Sequence, residues 1–463
     1  MKPSFYRWDK RSIPPRTPTM YRSHLVHSLW FWTLSVTLGL MAGAAHAAPS
    51  EGLDGRVIVG YQGWFGCPKD FEANEEWQHW FVKGVRPENL TVDLLPSIHE
   101  IRQEDLCDTG LPRSDGHGTI RLFSSQNLNV VNTHFRWMRE HGIDGAAAQR
   151  FISEMSKPEK KRRSDNVLRN VRLASEANGR VFFVVFDISG GNPETVTDDI
   201  RQDWHRLIFD QKMTESPAYL HDHGKPVVEL WGFGFGGHPG TPFDVAGLIT
   251  DLRNGKNGLP AATVIGGVPS RWRELTGDSQ SDPAWAKVYR SYDVISPWAV
   301  GRFKNDAETD AFYRNIVATD IEETRRQGLR YMPVVFPGFS WFNLQNSRNQ
   351  PDKAVLNQIP RRCGDFLWRQ VSDALTLRVD AVYAAMFDEV DEGTALLPAV
   401  TTQENLPAGA KVEYLNQDGC ALPDDWYLRV TGRAADYLHS RTVPPLSLNA
   451  AMGAQVHPSS SQK

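Results

Sequence analysis

After residue 55 the chain alternates short apolar runs with longer amphipathic stretches. The runs are RVIVGYQGWF (56–65), IDGAAAQRF (143–151), VFFVVFDISG (181–190), PVVELWGFGF (226–235), ATVIGGVPSRW (262–272), DVISPWAVGRF (293–303), YMPVVFPGFSW (331–341) and AVYAAMFDEVDEG (381–393). They are apolar without strict alternation, as parallel strands are when both of their faces are covered. Between them lie helical patterns at 130–142, 164–179, 196–213, 310–328 and 363–380, several ending at or near a glycine, where helices commonly stop. Eight strand–helix alternations without a second composition regime predict an α/β protein, a single (β/α)8 TIM-type barrel. An open doubly wound sheet would want a Gly-rich phosphate loop after its first strand, and YQGWFGCP is aromatic instead.

The first strand is followed by a long insertion (66–142), expected to form a lid or rim over the barrel mouth. Residues 442–463 lack periodicity and are expected to be a disordered tail. Residues 1–47 combine basic positions, the apolar LWFWTLSVTLGLMAG and a small-x-small site at Ala45-His46-Ala47, the pattern of a signal peptide, with Met20 as an alternative start. The apolar run is too short for a stable spanning helix. The expected organisation is therefore a leader (1–47), a catalytic domain (48–441) and a tail (442–463), exported to the periplasm or the medium.

Charge and cysteine content sharpen this picture. The formal charge is −4; the leader holds six basic residues and one acidic one, so the remainder carries about −9 by the same count. An acidic exported chain argues against a nucleic-acid partner. Cys67, Cys107, Cys363 and Cys420 allow three pairings, and the sequence-local one, Cys67–Cys107 with Cys363–Cys420, is expected. No C-x-x-C or H-E-x-x-H is present, so neither a metal nor a cofactor is called for. Of fifteen tryptophans only Trp8, Trp30 and Trp32 precede the expected cleavage point. Such richness suits carbohydrate handling, because an indole face stacks on the C–H face of a sugar; large core residues account for part of it.

Active sites of such barrels form at the C-terminal ends of the strands. Those ends supply Tyr61, Trp64, Gln149, Arg150, Asp187, Glu229, Trp231, Arg271, Trp298, Arg302 and Trp341. The eighth run breaks into the densest acidic cluster of the chain, Asp388, Glu389, Asp391 and Glu392. If the chain turns helically there, Glu389 and Glu392 lie on one side, about 5–6 Å apart at Cβ. Paired carboxylates ringed by aromatic residues suit glycosidic cleavage, one as base or nucleophile, the other as proton donor. Helix capping or pairing with arginines at the rim is the bland alternative for these acids. Asp187, Glu229 and Arg150 serve equally as sugar contacts or as ion-pair partners. His134 and Trp137 share a helix face and are expected to pack.

The stretches GYQGWFGCPKD, EWQHWF, LFSSQNLNVVNTHFRWMREHGIDG, PVVFPGFSWFNL and MFDEVDEGTA, spread over residues 53–440, resemble the glycoside hydrolase family 71/99-like group. Its bacterial members are often labelled xylosidase/arabinosidase, and it is related to the family 99 endo-α-mannosidases. Tyr61, Trp64, His79 and Trp80 look like the family's aromatic first strand and His-Trp pair. DEVDEGT is similar to its Asn-Glu-Trp-x-Glu-Gly-Thr motif at Glu389, Glu392, Gly393 and Thr394, with Asp388, Val390 and Asp391 departing from it. The resemblance implies a retaining hydrolase in which the sugar's own 2-hydroxyl attacks the anomeric carbon. Glu389 would be the base on that hydroxyl and Glu392 the acid/base at the glycosidic oxygen. Tyr61, Trp64, His79, Trp80, Arg150, Asp187, Trp231, Trp298, Trp341 and Asp388 are the candidate substrate contacts, for a poly- or oligosaccharide. The rivals are a non-catalytic carbohydrate-binding protein on the same barrel, and a metal-dependent hydrolase or deacetylase.

Overall fold

The computed structural model describes residues 52–68, 70–71 and 76–453; the leader expected over 1–47 lies outside them. Each apolar run contributes a strand, shorter than the run itself. The first six are Val57–Tyr61, Gly145–Phe151, Val181–Asp187, Lys225–Trp231, Thr263–Val268 and Val294–Pro297. The seventh comes in two pieces, Arg330–Tyr331 and Val334–Val335, and the eighth is Val382–Ala384. These strands pair in parallel with their neighbours.

The two pieces of the seventh strand are the two ends of the hydrogen-bonded path, although only Met332 and Pro333 separate them in the chain. Proline has no N–H to give to the ladder, which is why the strand breaks there. Met332 N still donates to Ile295 O on one side (2.9 Å), and Pro333 O accepts from Tyr383 N on the other (3.0 Å). The result is a curled, mostly parallel sheet ringed by helices, in keeping with a TIM-type fold.

The helices are Leu128–Glu140, Pro158–Asn178, Val196–Phe209, Pro242–Asn254, Ala284–Tyr289, Asp306–Phe312 continuing to Gln327, Asp365–Thr376 and Trp426–Ser440. None of the described helices is long and apolar enough to cross a membrane. The hydrophobic pattern alone missed three of them. Pro242–Asn254 nonetheless has clear punctuation: Thr241 accepts from Asp244 N at 3.2 Å, proline opens the first turn, and Gly255 closes it at φ +65°.

Between the first strand and its helix the chain forms an antiparallel hairpin, Leu106–Pro112 with Thr119–Phe123. The Cys67–Cys107 disulfide ties this hairpin to the end of the first strand, and Cys363–Cys420 is the second bridge. One departure concerns the expected tail. Residues 448–452 form a short helix with Leu448 and Ala451 buried, and Trp368 Nε1 donates to Pro445 O at 2.9 Å. An apolar pair at i and i+3 gives this segment a face to bury. Residues 454–463 lie outside the described part.

Candidate active site

The acidic cluster begins just past the eighth strand, and it is buried. Asp388 is fully enclosed; its two carboxylate oxygens accept the backbone N–H groups of Gln62 and Gly63, each at 2.8 Å. Burial pushes its pKa up to about 7 despite those two donors. This side chain staples the loop after the eighth strand to the loop after the first. The expectation of a substrate contact at Asp388 thus meets a residue whose oxygens are both occupied by backbone.

Glu389 follows, 6% exposed. Its Oε1 accepts from Gln62 Nε2 (2.9 Å) and its Oε2 from Thr394 Oγ1 (3.0 Å). Burial, then the charges of Glu392 and Asp391, hold its pKa well above the usual carboxylate range. Glu392 is half-buried, and burial with the neighbouring Asp391 raises its pKa to about 7. The chain here is a turn, not a helix. Gly393 allows it: at φ +60° it sits where a Cβ would come 2.9 Å from Ser340 N. Arg361 Nη2 clamps the same turn from behind, donating to Gly393 O (2.7 Å) and Ala395 O (2.8 Å). Asp391 is buried; one oxygen lies 3.9 Å from His79 Nδ1 and the other has no partner among the described residues.

Aromatic side chains line the strand ends around this turn. Trp64 stacks on His79 (4.4 Å, 7° between planes) and on Phe151 (5.3 Å, 16°). Gln62, Trp64, His79, Gln149 and Phe151 line one cleft of about 60 Å³. On the other side Trp231 packs edge-on against Trp298 (5.4 Å), which in turn approaches Tyr383 (6.4 Å), and Trp341 packs on Phe339 (5.2 Å). The indole N–H groups of Trp64, Trp231 and Trp341 and the side-chain oxygens of Gln62 and Gln149 have no partner among the described residues. Buried polar groups are normally satisfied, so such a concentration at one end of a sheet marks a place built for a polar ligand.

Tyr383 sits beneath. Its hydroxyl is held well above its usual pKa by burial first, then by Glu229, Glu389 and Asp187, while Gln149 opposes the rise. Asp187 is buried and accepts from Ser189 N at 2.8 Å; burial raises its pKa to about 6.

Three candidates from the sequence do not reach this mouth. Arg150 points the other way, because neighbours on a strand alternate faces and Gln149 takes the inner one. Its guanidinium bonds Asp203, Asp165 (2.7 Å) and Ser164 (2.9 Å) on the outer helices, the counter-ion role. Trp80 is fully buried against Phe65 and Phe123, its Nε1 donating to Phe123 O. Tyr61 is enclosed by Phe135 and Phe387, its hydroxyl 2.9 Å from His134 Nδ1. His134 packs against Trp137, as expected of that helix face. Gln62, Tyr383 and Asp93 escaped the sequence reading. Asp93 is fully buried and accepts from Asn343 N at 2.8 Å, while its own N–H donates to Val390 O (3.0 Å), bracing the acidic turn.

Comparison with known proteins completes the description. No protein-family model and no curated protein matches the sequence. Solved structures do. The GH99 endo-alpha-mannosidase from Bacteroides thetaiotaomicron is similar at TM-score 0.61 and 15% identity, over 84% of this chain and 99% of that one. Its structure in complex with BIS-TRIS-Propane gives TM-score 0.59 at 15% identity, over 84% and 98%. At that identity the likeness is one of fold: the chain is similar in fold to these family 99 glycoside hydrolase structures.

Proposed function

We propose that the protein is a glycoside hydrolase acting on a poly- or oligosaccharide, with Glu389 and Glu392 as its working carboxyl groups. The observation that carries this is the turn after the eighth strand. That turn carries two mutually interacting carboxyl groups, of which Glu392 titrates at about 7, beside indoles with unpartnered N–H groups. The likeness in fold supports it.

In the reading we favour, cleavage proceeds with retention. Glu389 removes the proton from the 2-hydroxyl of the bound sugar, and the freed oxygen attacks the anomeric carbon. The bond to the leaving oxygen breaks as Glu392 delivers its proton there. Water then opens the anhydro-sugar by the reverse proton movements. Glu389 is equipped to hold charge briefly, since Gln62 and Thr394 each donate to one of its oxygens. Glu392, near pH 7 in its titration, keeps a proton to give at neutral pH.

The catalytic unit, expected over residues 48–441, is read as a single (β/α)8 barrel with segment 66–142 inserted after the first strand, and the helix at 448–452 packs onto it. The two disulfides fit the exported destination expected from the leader pattern of residues 1–47. Incubating the purified protein with α-mannan, arabinoxylan and other glycans, with product analysis by mass spectrometry, tests the assignment. New reducing ends from at least one glycan are expected; a protein that binds one of them without cleaving it is a carbohydrate-binding module instead.

A further inference from the structure

Glu229 is a buried acid that the mechanism above leaves unused. It lies on the inner face of the fourth strand, 2% exposed, and its Oε2 has no hydrogen-bond partner among the described residues. Burial alone pushes its pKa up to about 8. The titratable groups that face it are Tyr383 and, around that hydroxyl, Glu389 and Asp187 from the eighth and third strands, with Tyr292 ahead of the sixth. The fifth strand presents only glycine: a Cβ on Gly267 would come 2.9 Å from Glu229 Oε1 and 3.0 Å from Trp231 Cα. Trp231, two residues further on and therefore on the same face, is half-buried and offers its ring and a free N–H.

We propose that Glu229 is a substrate contact that works as a neutral carboxylic acid, donating its proton to a hydroxyl of an uncharged sugar unit stacked on Trp231. The inference rests on the glycan reading of the mouth and names the class of sugar that enters. An ionised Glu229 with no cation beside it would cost several kcal/mol. A protonated one has an O–H in need of an acceptor, which a sugar hydroxyl supplies. The same surroundings disfavour a uronic acid: its carboxylate would face Glu229, Asp187 and Glu389, and the histidine that packs on Trp231, His238 (5.9 Å between rings), has its pKa lowered by burial and so stays uncharged.

Two measurements on the full chain test this. In the absence of ligand, infrared spectra at pH 6 minus pH 9, and wild type minus Glu229→Gln, should each contain the carbonyl stretch of a protonated carboxyl lost through about pH 8. No such band in the wild type minus Glu229→Gln spectrum overturns the proposal, whatever sugar binds. Calorimetry then uses Glu392→Gln, to prevent turnover, with a manno-oligosaccharide and a glucuronic-acid-bearing xylo-oligosaccharide. The neutral sugar should bind at least about 10-fold more tightly, and its affinity should fall about 10-fold from pH 6 to pH 9. Adding Glu229→Gln should flatten that fall. Equal affinity for the two sugars, or an unchanged pH dependence in the double variant, contradicts the assignment. The infrared band with no binding of either sugar overturns the glycan reading of the mouth and leaves the protonation of Glu229 standing.

Discussion

Gln62, just past the first strand, donates its side-chain N–H to Glu389, just past the eighth, at 2.9 Å. The two are 327 positions apart, and only the curling of the sheet makes them neighbours. Gln62→Leu keeps the volume and removes this donor to the charged form of Glu389. Its pKa should move further up, shifting the acidic limb of the kcat/KM profile to higher pH by about one unit. An unmoved limb would show that Gln62 does not tune the base.

Wild-type activity should follow a bell whose two limbs belong to the Glu389–Glu392 pair rather than to either residue alone. Activity should fall on the alkaline side as the pair gives up the proton that Glu392 delivers, which burial and Asp391 hold to about pH 7. A rate that stays level to pH 9 contradicts Glu392 as the proton donor.

Stability should decline where most enzymes are stable. Asp93, Glu413 and Glu229 have folded-state pKa values raised by burial to about 6, 7 and 8. Unfolded carboxyl groups titrate near about 4, so the folded chain binds more protons between those values. The stability these groups contribute is full below about pH 4 and is lost as pH rises through 6 to 8. Glu413→Gln, at a 2% exposed site, should flatten the fall of the melting temperature between pH 5 and 8. An identical slope in the variant contradicts the burial argument at that site.

Arg150→Met separates a structural arginine from a ligand contact. It leaves the buried Asp203 without its Arg150 partner, with Arg206 remaining beside it among the described residues. A loss of about 3 kcal/mol in urea unfolding is expected, with KM unchanged. A raised KM at full stability would return Arg150 to the substrate.

Much of the fold was legible because the strands are buried on both faces, which leaves uninterrupted apolar runs such as VFFVVFD in the sequence. The acidic turn was legible because four carboxyl groups stand directly after such a run. Less legible was which way each strand-end residue points. Gln149 and Arg150 are adjacent, and a one-residue difference in register decides which meets the mouth and which meets Asp203. Trp80 illustrates a second limit: the segment between the first strand and its helix has no periodicity, so nothing in its sequence says that Phe65 and Phe123 will enclose the indole. Gln62 and Tyr383 carry no distinctive pattern at all. They matter through contacts between the first, third, fourth and eighth strands, which exist only once the sheet has curled.

The most direct test of the account is the kinetics of Glu389→Gln and Glu392→Gln on two versions of the same glycoside. One has a natural sugar leaving group, the other an activated aryl leaving group that needs no proton. On the natural substrate both variants should lose at least about 100-fold in kcat, with unchanged melting temperatures. On the activated one, bond cleavage by Glu392→Gln should be largely restored and that by Glu389→Gln should not, because only Glu392 supplies the leaving-group proton. Both variants retaining wild-type turnover, or both being rescued alike, would contradict the roles assigned to the pair.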